Sequence, residues 1–279
     1  MQVIENISGV RESISAFKSE GESVGFVPTM GALHKGHISL MRRAKEENDR
    51  VVCSIFVNPT QFNNPNDLKN YPRTIEEDSL MLEKEGCDLI FFPSEKEIYP
   101  VKDTVIYDLG MLDKTMEGLH RPGHFNGVAM VVKKLFEIIQ PHKAYFGEKD
   151  YQQLLIISHI TKFYNLGIDI VACPTLREPD GLAMSSRNQL LSPSERDIAH
   201  VIYDILTGLK EKAGKVSVCS LMDCAEAELK KYPEFKKEYI EIADATTLEA
   251  VNNWNNKNIR VFAAIYLGKV RLIDNIKLF

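Results

Sequence analysis

The sequence predicts an α/β protein: a Rossmann-like doubly wound parallel sheet over residues 1–175, then a second, smaller α/β domain at the C-terminus over residues 176–279. Three observations predict it. Short apolar runs alternate with helix-periodic segments through the first part of the chain. The run Val51-Val52-Cys53-Ser54-Ile55-Phe56-Val57 has the unbroken, β-branched character of a strand buried on both faces. From Pro174 to Ser194 periodicity fails and Pro, Gly and Ser accumulate, as in a functional loop or a domain joint.

Taken in order, Val24-Gly25-Phe26-Val27-Pro28 reads as a strand, and a glycine-rich turn leads from it into a helix over Ile38–Glu47 starting at about His37. Val51–Val57 is the next strand, Thr74–Glu85 a helix and Asp88–Phe92 a further strand. Apolar residues at 125, 128, 129, 132, 135, 136 and 139 line one face of a helix over Phe125–Ile139. Ala144-Tyr145-Phe146 is a strand, Tyr151–Tyr164 a largely apolar helix and Ile168–Ala172 another strand. Ser192-Pro193-Ser194-Glu195 is a capping box with proline at the first helical position. Helices over about 195–212 and 217–231 then precede strands near 238–243, 259–266 and 270–275, with Gly268-Lys269 as a hairpin turn.

The formal net charge of −5 supplies no global basic field, so nucleic acid is not an expected partner and any bound anion must be held by local donors. Cys53, Cys87, Cys173, Cys219 and Cys224 are odd in number and form no C-x-x-C pair, and three sit in or beside strand-like runs. They read as free thiols in a reducing compartment. Met1-Gln2-Val3-Ile4-Glu5 lacks the basic and apolar regions of a signal peptide, and no apolar run approaches the roughly 18–20 residues that span a bilayer. The expected location is cytoplasmic, with no membrane partner.

Four clusters carry chemistry. Met30-Gly31-Ala32-Leu33-His34-Lys35-Gly36-His37 follows a strand and opens a helix, whose free N–H groups and dipole favour an anion. Its two histidines, three residues apart, can donate to phosphate oxygens; a zinc site would need further ligands that the neighbourhood lacks. Asn58 and Gln61, in Val57-Asn58-Pro59-Thr60-Gln61-Phe62, fall where a parallel sheet presents ligand-facing residues, although an ordinary Asn-Pro turn uses the same residue types. Gly147-Glu148-Lys149-Asp150, with Gln153 one turn on, repeats the strand–turn–helix pattern, and a lysine opposing the helix dipole suits a site that meets an anion. Asp150 could bind a ribose hydroxyl or orient Lys149. In the long loop, Met184-Ser185-Ser186-Arg187-Asn188 sets two hydroxyls beside a guanidinium, a phosphate clamp able to close over a nucleotide.

In this order and spacing, the clusters together with Arg121-Pro122-Gly123-His124-Phe125 resemble the pantothenate synthetase (pantoate–β-alanine ligase) family, within the H-x-G-H nucleotidylyltransferase-like superfamily. The resemblance runs through nearly the whole chain. It implies ATP-dependent condensation of pantoate with β-alanine through an acyl adenylate, releasing AMP and pyrophosphate. It further implies ATP contacts at Met30, Gly31, Ala32, Leu33, His34, Lys35, Gly36, His37, Gly147, Glu148, Lys149, Asp150, Leu176, Met184, Ser185, Ser186 and Arg187. Catalysis would fall to His37 as proton donor, with His34, Lys149 and Arg187. Pantoate would meet Gln61, Gln153 and Asn58, with Gln61 also near β-alanine. A cytoplasmic homodimer using ATP with Mg²⁺, without a dedicated protein metal site, completes the expectation. A nucleotidylyltransferase that stops after adenylyl transfer, and a non-catalytic nucleotide sensor, are the other readings of the clusters.

Overall fold

Neighbouring residues of a strand face opposite ways, so a strand that is apolar at both parities must be covered on both sides. In the computed structural model, which describes residues 1–255 and 257–279, the central strands meet that condition. The first part of the chain forms β1 (Gln2–Ile4), α1 (Ile7–Ser19), β2 (Val24–Thr29), α2 (Lys35–Glu47), β3 (Arg50–Ile55), α3 (Pro65–Asn70) and α4 (Ile75–Lys84). There follow β4 (Leu89–Phe91), α5 (Glu95–Ile98), α6 (Met116–His120), α7 (His124–Ile139), β5 (Lys143–Gly147), α8 (Tyr151–Phe163) and β6 (Asp169–Cys173). The six strands pair in parallel in the order β1-β4-β3-β2-β5-β6. Phe26, Val52, Leu89, Phe91, Ala144 and Phe146 pack toward α1, α7 and α8, whereas Val27, Val51, Cys53, Ile90 and Tyr145 pack toward α2 and α4. The doubly wound sheet expected from the alternation is what forms.

β1 and α1 carry no expectation from the sequence: β1 is a three-residue edge strand with little to read, whereas α1 sets Ile7, Val10, Ile14 and Phe17 against the core at helical spacing, a signal the sequence does contain. β3 stops at Ile55, short of the apolar run; Phe56 still donates to the Thr29 carbonyl at 3.0 Å, and the chain then turns outward into a 3-10 turn at Pro59–Gln61.

The remainder forms α9 (Pro193–Ile198), α10 (Val201–Lys212), α11 (Val218–Leu229), β7 (Phe235–Asp244), β8 (Ile259–Leu267) and β9 (Val270–Lys277). The strands make an antiparallel sheet in the order β7-β8-β9, turned at Gly268-Lys269 as expected. The helix expected over 195–212 is broken, because its first turns tighten where Ala199 donates back to Arg196. The capping box forms, Ser192 N–H donating to the Glu195 carboxylate at 2.8 Å. The long loop is more ordered than its composition suggests: Arg177 pairs with Ala183 and Ser186–Leu190 forms a 3-10 turn.

One face of the small sheet lies under α10 and α11. The other sets Tyr239, Phe262 and Ala264 against Met116, with Leu112 and Tyr151 beside them. A polar tie crosses the same junction, Arg260 reaching Glu148 at 2.8 Å, while Arg177 forks onto the buried Asp274 at 2.6 and 2.9 Å and ties the long loop to β9. Among the described residues no helix is long and apolar enough to cross a membrane.

Phe136, 1% exposed, sits edge-on between Phe26 and Phe146. Phe136→Ala should therefore cost about 3–5 kcal/mol, read as a lowered urea midpoint at unchanged m-value.

Candidate active site

Because β3, β2 and β5 are parallel neighbours, the segments that leave their carboxyl ends emerge side by side at one edge of the sheet. Met30–His34, Asn58–Gln61 and Gly147–Asp150 thus converge from far apart in sequence. The segment Met184–Arg187 approaches the same place from the long loop and encloses with them a cavity of about 220 Å³.

The histidine pair is built into the start of α2. The helix begins at Lys35, earlier than the expected His37, since His34 itself is the cap. His34 Nδ1 accepts from Gly36 N–H at 3.1 Å, and His37 Nδ1 accepts from His34 N–H at 3.3 Å. A neutral imidazole with an accepting Nδ1 carries its proton on Nε2, so both rings offer a donor there. Gly36 is required by this arrangement: a Cβ on it would lie 2.7 Å from the His34 ring. Burial lowers His34 to about 4, with Lys149 adding to the effect, and burial lowers His37 to about 3, helped by His34 and Lys149. Both are neutral donors at neutral pH.

The glutamine is oriented by a chain of bonds that starts at a backbone carbonyl. Gly127 C=O can only accept, so the Asn58 amide nitrogen must face it, at 3.1 Å. The same nitrogen donates to Gln61 Oε1 at 3.1 Å, which turns the Gln61 NH₂ toward Met30 Sδ and the cavity. Asn58 Oδ1 accepts from Tyr99 OH at 2.9 Å and from Thr60 Oγ1 at 3.0 Å. Asn58 borders the cavity but its polar atoms are committed, so it positions Gln61. A Cβ on Gly127 would meet the Thr60 carbonyl at 2.3 Å, and only glycine lets α7 approach this turn. Burial lowers His124 to about 4, and its Nδ1–H donates to the Gln61 carbonyl at 2.8 Å.

Lys149 and Asp150 lie in a 3-10 turn ahead of α8, and their charged atoms are 3.7 Å apart, beyond hydrogen-bonding distance. Glu148 turns away to Arg260, and Asn275 of β9 donates to the Glu148 and Lys149 carbonyls at 2.9 Å each. Arg187 reaches across the mouth to Asp67 on α3 at 3.7 Å. Gln153 faces the cavity, and among the described residues nothing hydrogen-bonds its amide. A second cavity of about 360 Å³ adjoins the first and shares Lys149, Asp150, Ser185 and Arg187 with it.

Of the residues singled out in the sequence, Met30, His34, Gly36, His37, Asn58, Gln61, Gly147, Lys149, Asp150, Gln153, Leu176, Met184, Ser185, Ser186 and Arg187 line the cavity. Gly31, Ala32, Leu33, Lys35 and Glu148 do not. The Ala32 and Leu33 N–H groups donate to the fully buried Asp78 at 2.9 and 2.8 Å, Leu33 packs in the core and Lys35 points to solvent. Asp78, Tyr99, Arg260 and Asn275, which hold these segments in place, escape a sequence reading because no motif ties them to the residues they support. For His124 the signal was present, in the Arg121–Phe125 segment.

Residues 2–277 match the family described as pantoate-beta-alanine ligase. The chain is 46% identical over 278 residues to a pantothenate synthetase of Porphyromonas gingivalis, with 99% of each covered. It is 47% identical over 276 residues to that of Cytophaga hutchinsonii, with 98% of each covered. A crystal structure of pantothenate synthetase from Thermus thermophilus superposes with a TM-score of 0.93 at 42% identity, covering 100% of both chains. A pantoate-beta-alanine ligase from Francisella tularensis, complexed with beta-gamma ATP and beta-alanine, superposes with a TM-score of 0.83 at 40% identity, covering 100% of this chain and 98% of that one.

The three depressed histidines set a pH dependence of stability. Each is neutral when folded but titrates near 6.5 when unfolded, so below that pH the unfolded chain binds the extra protons. Their contribution is complete above pH 6.5 and is lost as pH falls toward about 4 for His34 and His124 and about 3 for His37. Urea titrations across this window should show stability falling with acid, and His124→Gln should shallow the slope by up to about one proton.

Proposed function

The chain belongs to the pantoate–β-alanine ligase family and joins pantoate to β-alanine at the expense of ATP; we propose that it does so through a pantoyl adenylate formed in the cavity of His34, His37, Gln61, Lys149, Gln153 and Arg187. The observation that carries this reading is the convergence of two helix starts, a clamp segment and two glutamines on a single cavity, where His34, His37, Lys149 and Arg187 all line the wall.

A pantoate carboxylate oxygen attacks the α-phosphorus, the bond to the bridging oxygen breaks, and pyrophosphate leaves. The β-alanine nitrogen, as free amine, then attacks the acyl carbon; the C–N bond forms and AMP departs with the former carboxylate oxygen. Neither step needs a covalent bond to the protein, so the protein's part is alignment and charge stabilisation. His34 and His37 donate through Nε2–H, in tautomers set by their Nδ1 bonds. The negative charge of a bound triphosphate opposes the depression of both imidazoles and so favours the protonated form that His37 needs to act as proton donor. Lys149 and Arg187 supply the fixed positive charge. Gln61 and Gln153 hold pantoate by amides, which leaves its carboxylate more nucleophilic than an arginine fork would. The remaining lining residues shape the nucleotide pocket, and Gly31, Ala32, Leu33, Lys35 and Glu148 serve it indirectly.

Magnesium enters as part of the nucleotide substrate. Among the described residues no three His, Cys, Asp or Glu side chains form a cage; Asp150, in the cavity wall, is the carboxylate that would help hold a nucleotide-bound Mg²⁺, which would offset phosphate charge. The chain from 176 onward acts as a smaller domain that closes over the site, supported by the clamp segment that leads into it. A cytoplasmic homodimer fits the free thiols and the exposed apolar side chains of Val101, Val105 and Ile106.

AMP release from ATP should require pantoate and β-alanine together, while pyrophosphate exchange into ATP should require pantoate alone. AMP release indifferent to the amine would overturn the reading. Lys149→Ala should lower turnover by on the order of 10²-fold or more, measured as the same AMP release at saturating substrates.

A further inference from the structure

The Arg121 guanidinium has no part in the chemistry above, yet it is held out of water beside it. Its side chain is 27% exposed. It lines a small cavity with Lys149, Asp150 and Gln153, and also borders the larger cavity that contains Arg187. Among the described residues nothing accepts a hydrogen bond from the guanidinium, and its nearest carboxylate, Glu117, stands at 3.6 Å. Glu117 is satisfied without it, by Arg271 Nη1 at 2.9 Å and Tyr239 OH at 2.8 Å. Burial, together with the nearby positive charges of Arg187 and Arg271, presses the Arg121 pKa below its usual value. A desolvated guanidinium with unused donors is the complement of a small carboxylate.

Its position is tied to the acid-binding glutamine. The Pro122 carbonyl accepts from Asn63 Nδ2 at 2.7 Å, and His124 Nδ1–H donates to the Gln61 carbonyl at 2.8 Å. The turn that carries Arg121 is thereby stapled, on both sides, to the segment that carries Gln61. The small cavity that Arg121 lines is bordered also by Gln153, so a carboxylate held on Arg121 would lie beside the acid-binding residues.

We propose that Arg121 binds the carboxylate of β-alanine and thereby selects an amino acid over a simple amine. This rests on the ligase reading, in which the β-alanine carboxylate is not consumed and has to be held while the amine reacts. With Lys149 and Arg187 assigned to phosphate, Arg121 is the other cationic side chain that lines the small cavity beside Gln153.

The test compares wild type, Arg121→Gln and Arg121→Lys with β-alanine and with its amide, 3-aminopropanamide. The KM for β-alanine should rise on the order of 10- to 100-fold in Arg121→Gln, with Arg121→Lys in between. The amide, which lacks the anion, should serve Arg121→Gln and wild type alike. ATP–pyrophosphate exchange with pantoate, which precedes the amine, should keep its KM values within about twofold. An unchanged KM for β-alanine overturns the assignment. Loss of exchange in both variants also overturns it, because a residue that serves only the amine leaves the first half-reaction standing. If wild type itself forms no pantothenate, the ligase reading fails on its own, before any variant is compared.

Discussion

Parallel pairing of β2 with β3 on one side and β5 on the other is the constraint on which the rest depends. Parallel strands deliver their exits to a common edge, so the segments after Thr29, Ile55 and Gly147 must open next to one another whatever their distance in sequence. The strands are buried on both faces, which leaves little freedom for a register slip. The site inherits its geometry from the core.

Electrostatics then favours neutrality over raw charge. The imidazoles at the start of α2 are kept uncharged by burial and by Lys149, and backbone N–H groups decide which ring nitrogen is free. Such donors recognise phosphate oxygens by direction and leave bulk attraction to Lys149 and Arg187. The glutamine side follows the same logic. A carbonyl at Gly127 fixes Asn58, Asn58 fixes Gln61, and the donors of Gln61 are aimed before any ligand arrives.

Much of this was legible in the sequence, for reasons that differ by element. Val51–Phe56 and Phe125–Ile139 could be read because burial imposes periodicity over many residues. Three of the clusters could be read because each sits where a strand ends and composition changes abruptly, and the fourth because its hydroxyls and guanidinium stand out in a long aperiodic loop. Gln2–Ile4 was too short and too exposed to leave a signal. α2 starts before the expected His37 because histidine is an uncommon cap, and here the His34 ring folds over Gly36. The support from Asp78, Arg260 and Asn275 was invisible, since each partner lies tens of residues or more from the group it holds and no local pattern encodes the pairing.

The bond from Asn275 to the Glu148 and Lys149 carbonyls has a mechanical consequence. Together with Arg260 on Glu148, it fastens the antiparallel sheet to the very turn that carries the ammonium group. The sheet cannot swing as a rigid body and leave that turn behind: either the fasteners shear, or the lysine travels with it. Any rocking of the smaller lobe is thereby geared to the electrostatic heart of the pocket, and the gear ratio is set by an amide gripping a pair of neighbouring peptide oxygens.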